Sequence, residues 1–339
     1  MVVTNSLSGG GAERSMNLIC NELIRRNWAV SLVPINSSPP DKVIPKCEIF
    51  ELGREWQGGI VETTLALGAF NRIVKSWKPD VIILNCDLPE LFGALLIGKH
   101  NLVVIEHASN PWGQRVVLGK VVRRILYARK THWAAVSSHL TIWPDRRKPI
   151  VFLCNPIISK SSRSLQSQIQ ALRRLVFIGR LSSEKRPADA IEIAEKSKQK
   201  LVIIGEGLLR MELERKVRRE GLNVDFLGRL DEPWAEIGVG DLLIIPSEFE
   251  GDGLVVIEAL QLGLPILVSD INDFRRFGFS ESNYCKEVDD FVQRIQIFSH
   301  DLTPLIVSSE VSEAILKPRS IEIVGETWDL FLSEITTPA

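Results

Sequence analysis

Leu242-Leu243-Ile244-Ile245-Pro246-Ser247-Glu248-Phe249-Glu250-Gly251-Asp252-Gly253-Leu254-Val255-Val256-Ile257-Glu258-Ala259 runs from one apolar block, through a polar loop, into a second apolar block. The first block reads as a buried strand ending near Pro246, and Gly251 and Gly253 open a helix. Amides at a helix start lack intrahelical acceptors, so those of Gly253, Leu254 and Val255 suit a phosphate. Glu250 lies in the loop, and Glu258 is expected about two turns into the helix. At ~1.5 Å per residue their separation is ~12 Å, the scale of a nucleotide sugar from hexose to ribose. Glu258 interrupts a run that otherwise reads as buried, where an unpartnered carboxylate is costly. The two hydroxyls of a ribose would be one partner, and a buried arginine the other.

Outward from this stretch the same rhythm repeats. Val81–Leu84, Leu102–Ile105, Val151–Leu153, Leu175–Ile178 and Leu201–Ile204 are short apolar runs without strict alternation, as expected of parallel strands covered on both faces. Ala12–Asn27, Ala188–Ser197 and Leu208–Glu220 carry helical periodicity between them. This βαβα order predicts an α/β protein of two Rossmann-like parallel-sheet domains facing a central cleft. The polar, Ser/Gln-rich segment after Ile158 divides them. We expect an amino-terminal domain over 1–158, a linker over 159–171, a second domain over 172–317 and a terminal segment over 318–339. In that last segment, Ser320–Ile335 is an amphipathic helix with Trp328 and Phe331 inward. Ligands of such sheets sit beyond the carboxyl ends of the strands.

Two further loops lie there. Gly9-Gly10-Gly11-Ala12-Glu13-Arg14 follows a first strand at Met1–Asn5, and its glycines permit positive φ and close backbone approach. Gly179-Arg180-Leu181-Ser182-Ser183-Glu184-Lys185 follows Leu175–Ile178, where Arg180 and Lys185 can neutralise a diphosphate. A tight turn and a solvated charged loop are the plain alternatives. Gln114–Lys130 holds Arg115, Lys120, Arg123, Arg124, Arg129 and Lys130 among aliphatic residues, with no acid. It reads as a basic amphipathic helix suited to an anionic membrane surface or a lipid diphosphate, or as an ordinary surface helix. Arg146-Arg147-Lys148 would extend the patch.

At 339 residues the chain has room for two domains. Its 41 basic and 42 acidic residues exclude a polyanion binder throughout, and no nucleic-acid partner is expected. The five scattered cysteines support neither a disulfide framework nor a zinc site and suit a reducing cytoplasm. No spanning helix is expected. Met1–Asn5 is too short for a signal peptide and reads as the tail of a strand, whose start is here or a few residues upstream.

Taken in order, GGGAER, GRLSSEK, the GEG of Gly205–Gly207 and EGDGLVVIEAL with its Glu-x₇-Glu spacing resemble the retaining GT-B glycosyltransferases of family 4, across nearly the whole chain. The resemblance implies that Arg180 and Lys185 hold the donor diphosphate, Glu258 the ribose and Glu250 the hexose. It implies that the terminal helix crosses back to brace the first domain, which would bind the acceptor while the second binds the nucleotide sugar. It also implies a donor-facing histidine in the first domain, matched by His107 after Leu102–Ile105. Asp252 stands where the family has an apolar residue, and Ile271–Arg276 where it often has a Gly-rich turn; both bear on donor identity. No Asp-x-Asp occurs, so no metal clamp is expected; the two cations and the helix dipole would take that charge. The expected activity is metal-independent, cofactor-free retaining transfer of a hexose, from a UDP-linked donor, to a lipid-linked oligosaccharide or lipopolysaccharide precursor. The setting would be cytoplasmic, at most peripheral to the membrane. Retention in the family proceeds by front-face attack, the leaving diphosphate helping to deprotonate the acceptor. A nucleotide-sugar epimerase and a non-catalytic binding protein on the same scaffold are the alternatives.

Overall fold

The protein is described from a computed structural model covering residues 1–7, 10–38, 45–56, 58–108, 111–113, 115–137, 139–145, 151–158 and 171–337. Gly9, Arg146-Arg147-Lys148 and all but the last residue of the expected linker lie outside the described residues. The chain divides into two compact units, one of Met1–Ile158 with Pro318–Ala339 and one of Ser159–Lys317.

The first unit is a seven-stranded sheet in the order β3-β2-β1-β4-β5-β6-β7. Its strands are β1 (Val2–Thr4), β2 (Ser31–Pro34), β3 (Glu48–Ile49), β4 (Ile82–Asn85), β5 (Leu102–Glu106), β6 (His132–Ala135) and β7 (Val151–Phe152). Every pairing is parallel. The helices are α1 (Gly11–Arg25), α2 (Ile60–Trp77), α3 (Asp87–Leu95), α4 (Val116–Ala128) and a C-terminal helix, Ile321–Thr336. Successive strand residues feed opposite cores. Val2, Ile83 and Val103 join Met16, Ile19 and Leu23 of α1 and Trp328 and Phe331 of the C-terminal helix. Val3, Ile82, Leu84 and Val104 join Phe70 of α2, Phe92 of α3 and Val122 of α4. Both strand faces are dry, so the sequence shows runs rather than alternation. The C-terminal helix is tied to α1 by Trp28 Nε1 donating to Asp329 at 2.7 Å and Arg26 Nη2 donating to the Glu322 carbonyl at 3.0 Å.

The second unit is a six-stranded sheet in the order β10-β9-β8-β11-β12-β13, again parallel throughout. Its strands are β8 (Arg174–Ile178), β9 (Leu201–Ile204), β10 (Val224–Gly228), β11 (Asp241–Ile245), β12 (Ile266–Ser269) and β13 (Tyr284–Cys285). The helices are α5 (Pro187–Ser197), α6 (Arg210–Glu220), α7 (Leu254–Leu262), α8 (Asn272–Arg275), α9 (Val288–Phe298) and α10 (Ser309–Leu316). From β8 the chain winds outward through β9 and β10, then returns to the other side of β8 as β11. The order therefore reverses between β8 and β11, the kind of switch point outside which ligands of open α/β sheets bind.

No disulfide joins the five cysteines. Among the described residues no helix is long and apolar enough to cross a membrane.

Candidate active site

At the reversal point the loops after β8 and β11 are joined: the Glu248 amide donates to the Glu184 carbonyl at 2.9 Å. Lys185, at the end of a 3-10 turn, reaches Glu250 with Nζ 2.5 Å from Oε2. The other Glu250 oxygen accepts from Ser247 Oγ at 2.9 Å, so a nearly buried carboxylate is held from two sides. Arg180, in the loop after β8, is exposed and makes no side-chain ion pair among the described residues. The loop after β9 closes against the β8 loop. A Cβ on Gly205 would stand 1.9 Å from the Gly179 carbonyl oxygen, and one on Gly207 2.3 Å from that of Leu181. Only glycine permits this approach, through which the Leu181 amide donates to the Glu206 carbonyl at 2.9 Å.

Gly253 caps α7 in the left-handed region, with φ 64° and ψ 40°, and turns the chain so that the Gly253, Leu254 and Val255 amides open the helix. Because α7 begins at Leu254, Glu258 lies one turn into the helix, not two. The ~12 Å helical rise therefore does not apply to the Glu250–Glu258 interval, half of which is loop. One partner of Glu258 is an indole: the buried Trp234 donates its N–H to Oε2.

In the first unit, the carboxyl ends of three neighbouring strands are joined by side chains. Nε2–H of His107, just past β5, donates to Asn85 Oδ1 of β4 at 2.5 Å, and Asn85 Nδ2 reaches Thr4 Oγ1 of β1 at 3.4 Å. That contact orients the amide and thereby selects the Nε2–H tautomer of His107. Next to Asn85, Cys86 sits at φ 86° and ψ −178°, a conformation costly for any residue with a Cβ and characteristic of functional edges. Asp87 then receives Arg115 and the Asn5 amide. The glycine-rich turn differs from expectation. Gly10 is extended at φ −97° and Gly11 is already helical, so neither uses positive φ. Gly10 instead donates its amide to Glu13 Oε2 at 2.9 Å, and Arg14 lies on the first turn of α1.

One residue assigned to the basic patch does not belong there. Arg123 is fully buried, with Nη2 2.5 Å from Glu90 Oε1, Nη1 2.8 Å from Glu106 Oε2 and a further bond to the Trp143 carbonyl at 2.6 Å. Periodicity places it on the same face as Val122 and Leu126, and two buried acids far away in sequence make that position tolerable. Two carboxylates share one guanidinium there. Burial pushes the Glu106 carboxyl up to about 8, against the pull of Arg123. The unfolded chain releases that proton near 4.5, so between 4.5 and about 8 the folded state binds more protons. Stability should then fall as pH rises through this window, by up to ~1.4 kcal/mol per pH unit. Urea titrations at pH 6 and pH 8 should show this loss in the wild type and a smaller one in Glu106→Gln. An identical loss in both would remove Glu106 as its source.

The rest of the patch stays on the surface. Lys120, Arg124 and Lys130 are exposed; Arg115 is exposed but paired with Asp87, and Arg129 is half-buried, donating to the Gly98 carbonyl at 2.7 Å. Between the cations stand the exposed aliphatic side chains Val117, Leu118, Val121 and Ile125. Among the described residues no cluster of His, Cys, Asp and Glu could hold a metal ion. The motifs gave no hint of Asn85, Trp234 or Ser247. Asn85 had a usable signal, being the polar residue that ends an apolar strand, as His107 follows another.

Two parallel-sheet α/β units of this kind have the GT-B fold. Residues 166–298 match the family Glycosyl transferases group 1. The chain is 28% identical over 269 residues to the Campylobacter jejuni subsp. jejuni serotype O:2 GalNAc-alpha-(1->4)-GalNAc-alpha-(1->3)-diNAcBac-PP-undecaprenol alpha-1,4-N-acetyl-D-galactosaminyltransferase, covering 75% of this chain and 74% of that one. It is 36% identical over 121 residues to a Mycobacterium tuberculosis GDP-mannose-dependent alpha-(1-6)-phosphatidylinositol dimannoside mannosyltransferase, covering 33% of this chain and 31% of that one. In fold it is similar to Anabaena HepE, solved with UDP and glucose, at TM-score 0.78 and 17% identity over 98% of each chain.

Proposed function

We propose that this glycosyltransferase moves a hexose, with retention and without a metal ion, from a UDP-linked donor to a lipid-linked or polysaccharide-precursor acceptor. The observation that carries the reading is the Lys185–Glu250 pair beside the amides that open α7, at the point where the strand order reverses. In this reading Lys185 and Arg180 meet the diphosphate with the Gly253, Leu254 and Val255 amides, Glu250 meets the hexose and Glu258, steadied by Trp234, the ribose. His107, set by Asn85, faces the reacting sugar, and Gly10, Gly11 and Arg14 border the acceptor. The negative charge that builds on the leaving diphosphate is then stabilised by fixed cations and dipoles, and that diphosphate takes up the acceptor proton, so no enzyme nucleophile is required. UDP in the HepE structure and the undecaprenol-linked acceptor of the Campylobacter relative support the choice of substrates. A thermal-shift screen of UDP, GDP, ADP and their sugars tests it. UDP at ~100 times its Kd should stabilise by ~2.7 kcal/mol, and turnover should survive EDTA. A response to GDP alone would overturn the donor, and loss of turnover in EDTA with rescue by Mg²⁺ would overturn metal independence.

Peripheral membrane contact through α4 belongs to the same proposal, supported by exposed aliphatic side chains interleaved with cations that face no acid on their own helix. Replacing Lys120, Arg124 and Lys130 by Gln should weaken binding to anionic vesicles by ~1 kcal/mol per charge. Wild-type binding should fall as salt rises. Binding indifferent to charge and salt would make this an ordinary helix surface.

A further inference from the structure

The β11–α7 loop contains a buried acid that no role above uses. Asp252 has a side chain only 2% exposed and stands one residue before the amides that open α7. Arg276, just past α8, reaches it twice: Nη2 lies 2.8 Å from the Asp252 carbonyl oxygen and 3.2 Å from Oδ1. Arg276 Nε also holds the Asp273 carbonyl at 2.7 Å, and its guanidinium lies 4.2 Å above the Phe277 ring. From the same short helix, Asp273 Oδ2 accepts the Glu250 amide at 2.7 Å. Phe274 and Phe277 lie under Gly253, where a Cβ would meet them at 3.4 and 3.5 Å, ordinary contact, so it is the positive φ of 64° that asks for glycine there. The segment Glu250–Gly253 is thus gripped at both ends from residues 273–277.

This grip matters electrostatically. A carboxylate beside a helix N-terminus offsets the positive field an anion would use there, and burial of Asp252 leaves little solvent to screen it. Arg276 returns that charge to near zero while leaving the helix-opening amides to an anion. We propose that Arg276 is a positioning and charge-cancelling residue for the donor diphosphate, and that the Asp252–Arg276 pair replaces the apolar residue expected at this turn. The proposal rests on the reading that the α7 amides receive that diphosphate.

Hydrogen exchange on the ligand-free protein tests the grip without reference to any substrate. Arg276→Ala should speed exchange of the Glu250–Val255 amides at least ~10-fold, as expected for loss of bonds to a charged group. Arg275→Ala, which instead breaks the Asp270 and Glu281 pairs, should leave those amides unchanged. Unchanged exchange in Arg276→Ala would overturn the grip. UDP titration tests the charge. Arg276→Ala should weaken UDP about 10- to 100-fold, and Arg276→Lys, which keeps the charge, should stay within about three-fold of wild type. The decisive variant is Asp252→Asn with Arg276→Ala: removing the acid as well should restore most of the lost affinity. A purely structural brace would not recover when its second member is altered, so a double variant no better than Arg276→Ala would overturn charge cancellation. If the wild type binds no nucleoside diphosphate, the donor reading falls and charge cancellation with it, and the exchange result still decides the grip.

Discussion

Lys185→Ala is expected to weaken UDP binding by about 10- to 100-fold, the worth of one or more bonds to a charged group, and to cut turnover further, by roughly 10²–10³. Two effects add. The substitution removes a cation from the reversal point between β8 and β11, and it leaves the Glu250 carboxylate, now 2.5 Å from the ammonium, without its counter-charge. Glu250 is too enclosed for water to compensate fully, so it would then repel the diphosphate that Lys185 had attracted. The loss should therefore be partly recovered in Lys185→Ala with Glu250→Gln for UDP affinity, though not for turnover. Calorimetric titration beside single-turnover rates provides both readings. Wild-type UDP affinity in a folded Lys185→Ala protein would remove Lys185 from the donor site.

The second large effect separates the two glutamates. Glu250→Gln should lower kcat by ~10²-fold or more while changing UDP affinity little, because UDP carries no hexose and the lost interaction matters as the sugar departs. Glu258→Gln should do the reverse, raising the donor KM and weakening free UDP, which still carries the ribose. The structure sharpens this contrast. Glu258 is steadied by the Trp234 indole, and a glutamine amide can still accept that N–H through its oxygen, so the substitution spares the local packing. If both acids were only structural, melting temperatures would fall together and UDP affinity would change alike in both. Equal loss of UDP affinity in the two variants would contradict the assignment even if both were inactive.

Much of the architecture was legible because a doubly covered parallel sheet leaves dense aliphatic runs. Val81–Leu84, Leu102–Ile105, Leu175–Ile178, Leu201–Ile204 and Leu242–Ile245 all coincide with strands to within a residue or so. The strands that escaped notice lack that signature. Val224–Gly228 lies at a sheet edge with one face exposed, and His132–Ala135 spends its four positions on a histidine, a tryptophan and two alanines. Ile266–Ser269 was hidden in the continuous apolar stretch it shares with α7. The charged loops stood out for another reason: glycines and paired cations directly follow strand ends, where a bound anion or a plain solvated turn would both place them. What could not be read was pairing over long separations. Arg123 looked like its neighbours on a basic helix because the acids that bury it stand 33 and 17 positions away. Trp234 and Arg276 are 24 residues from their partners, in segments with no motif of their own.

The return of the C-terminal helix to α1 also sets a timetable. Met16, Ile19 and Leu23 emerge from the ribosome well before Trp328 and Phe331, which complete their core. The whole of Ser159–Lys317 is made in between. At ~5–20 residues per second, that interval lasts about 8–32 s. Throughout it the nascent chain carries an unfinished apolar face on α1, a natural site for a chaperone to hold. A chain stalled before Ile321 would stay in that state however well its second unit had folded.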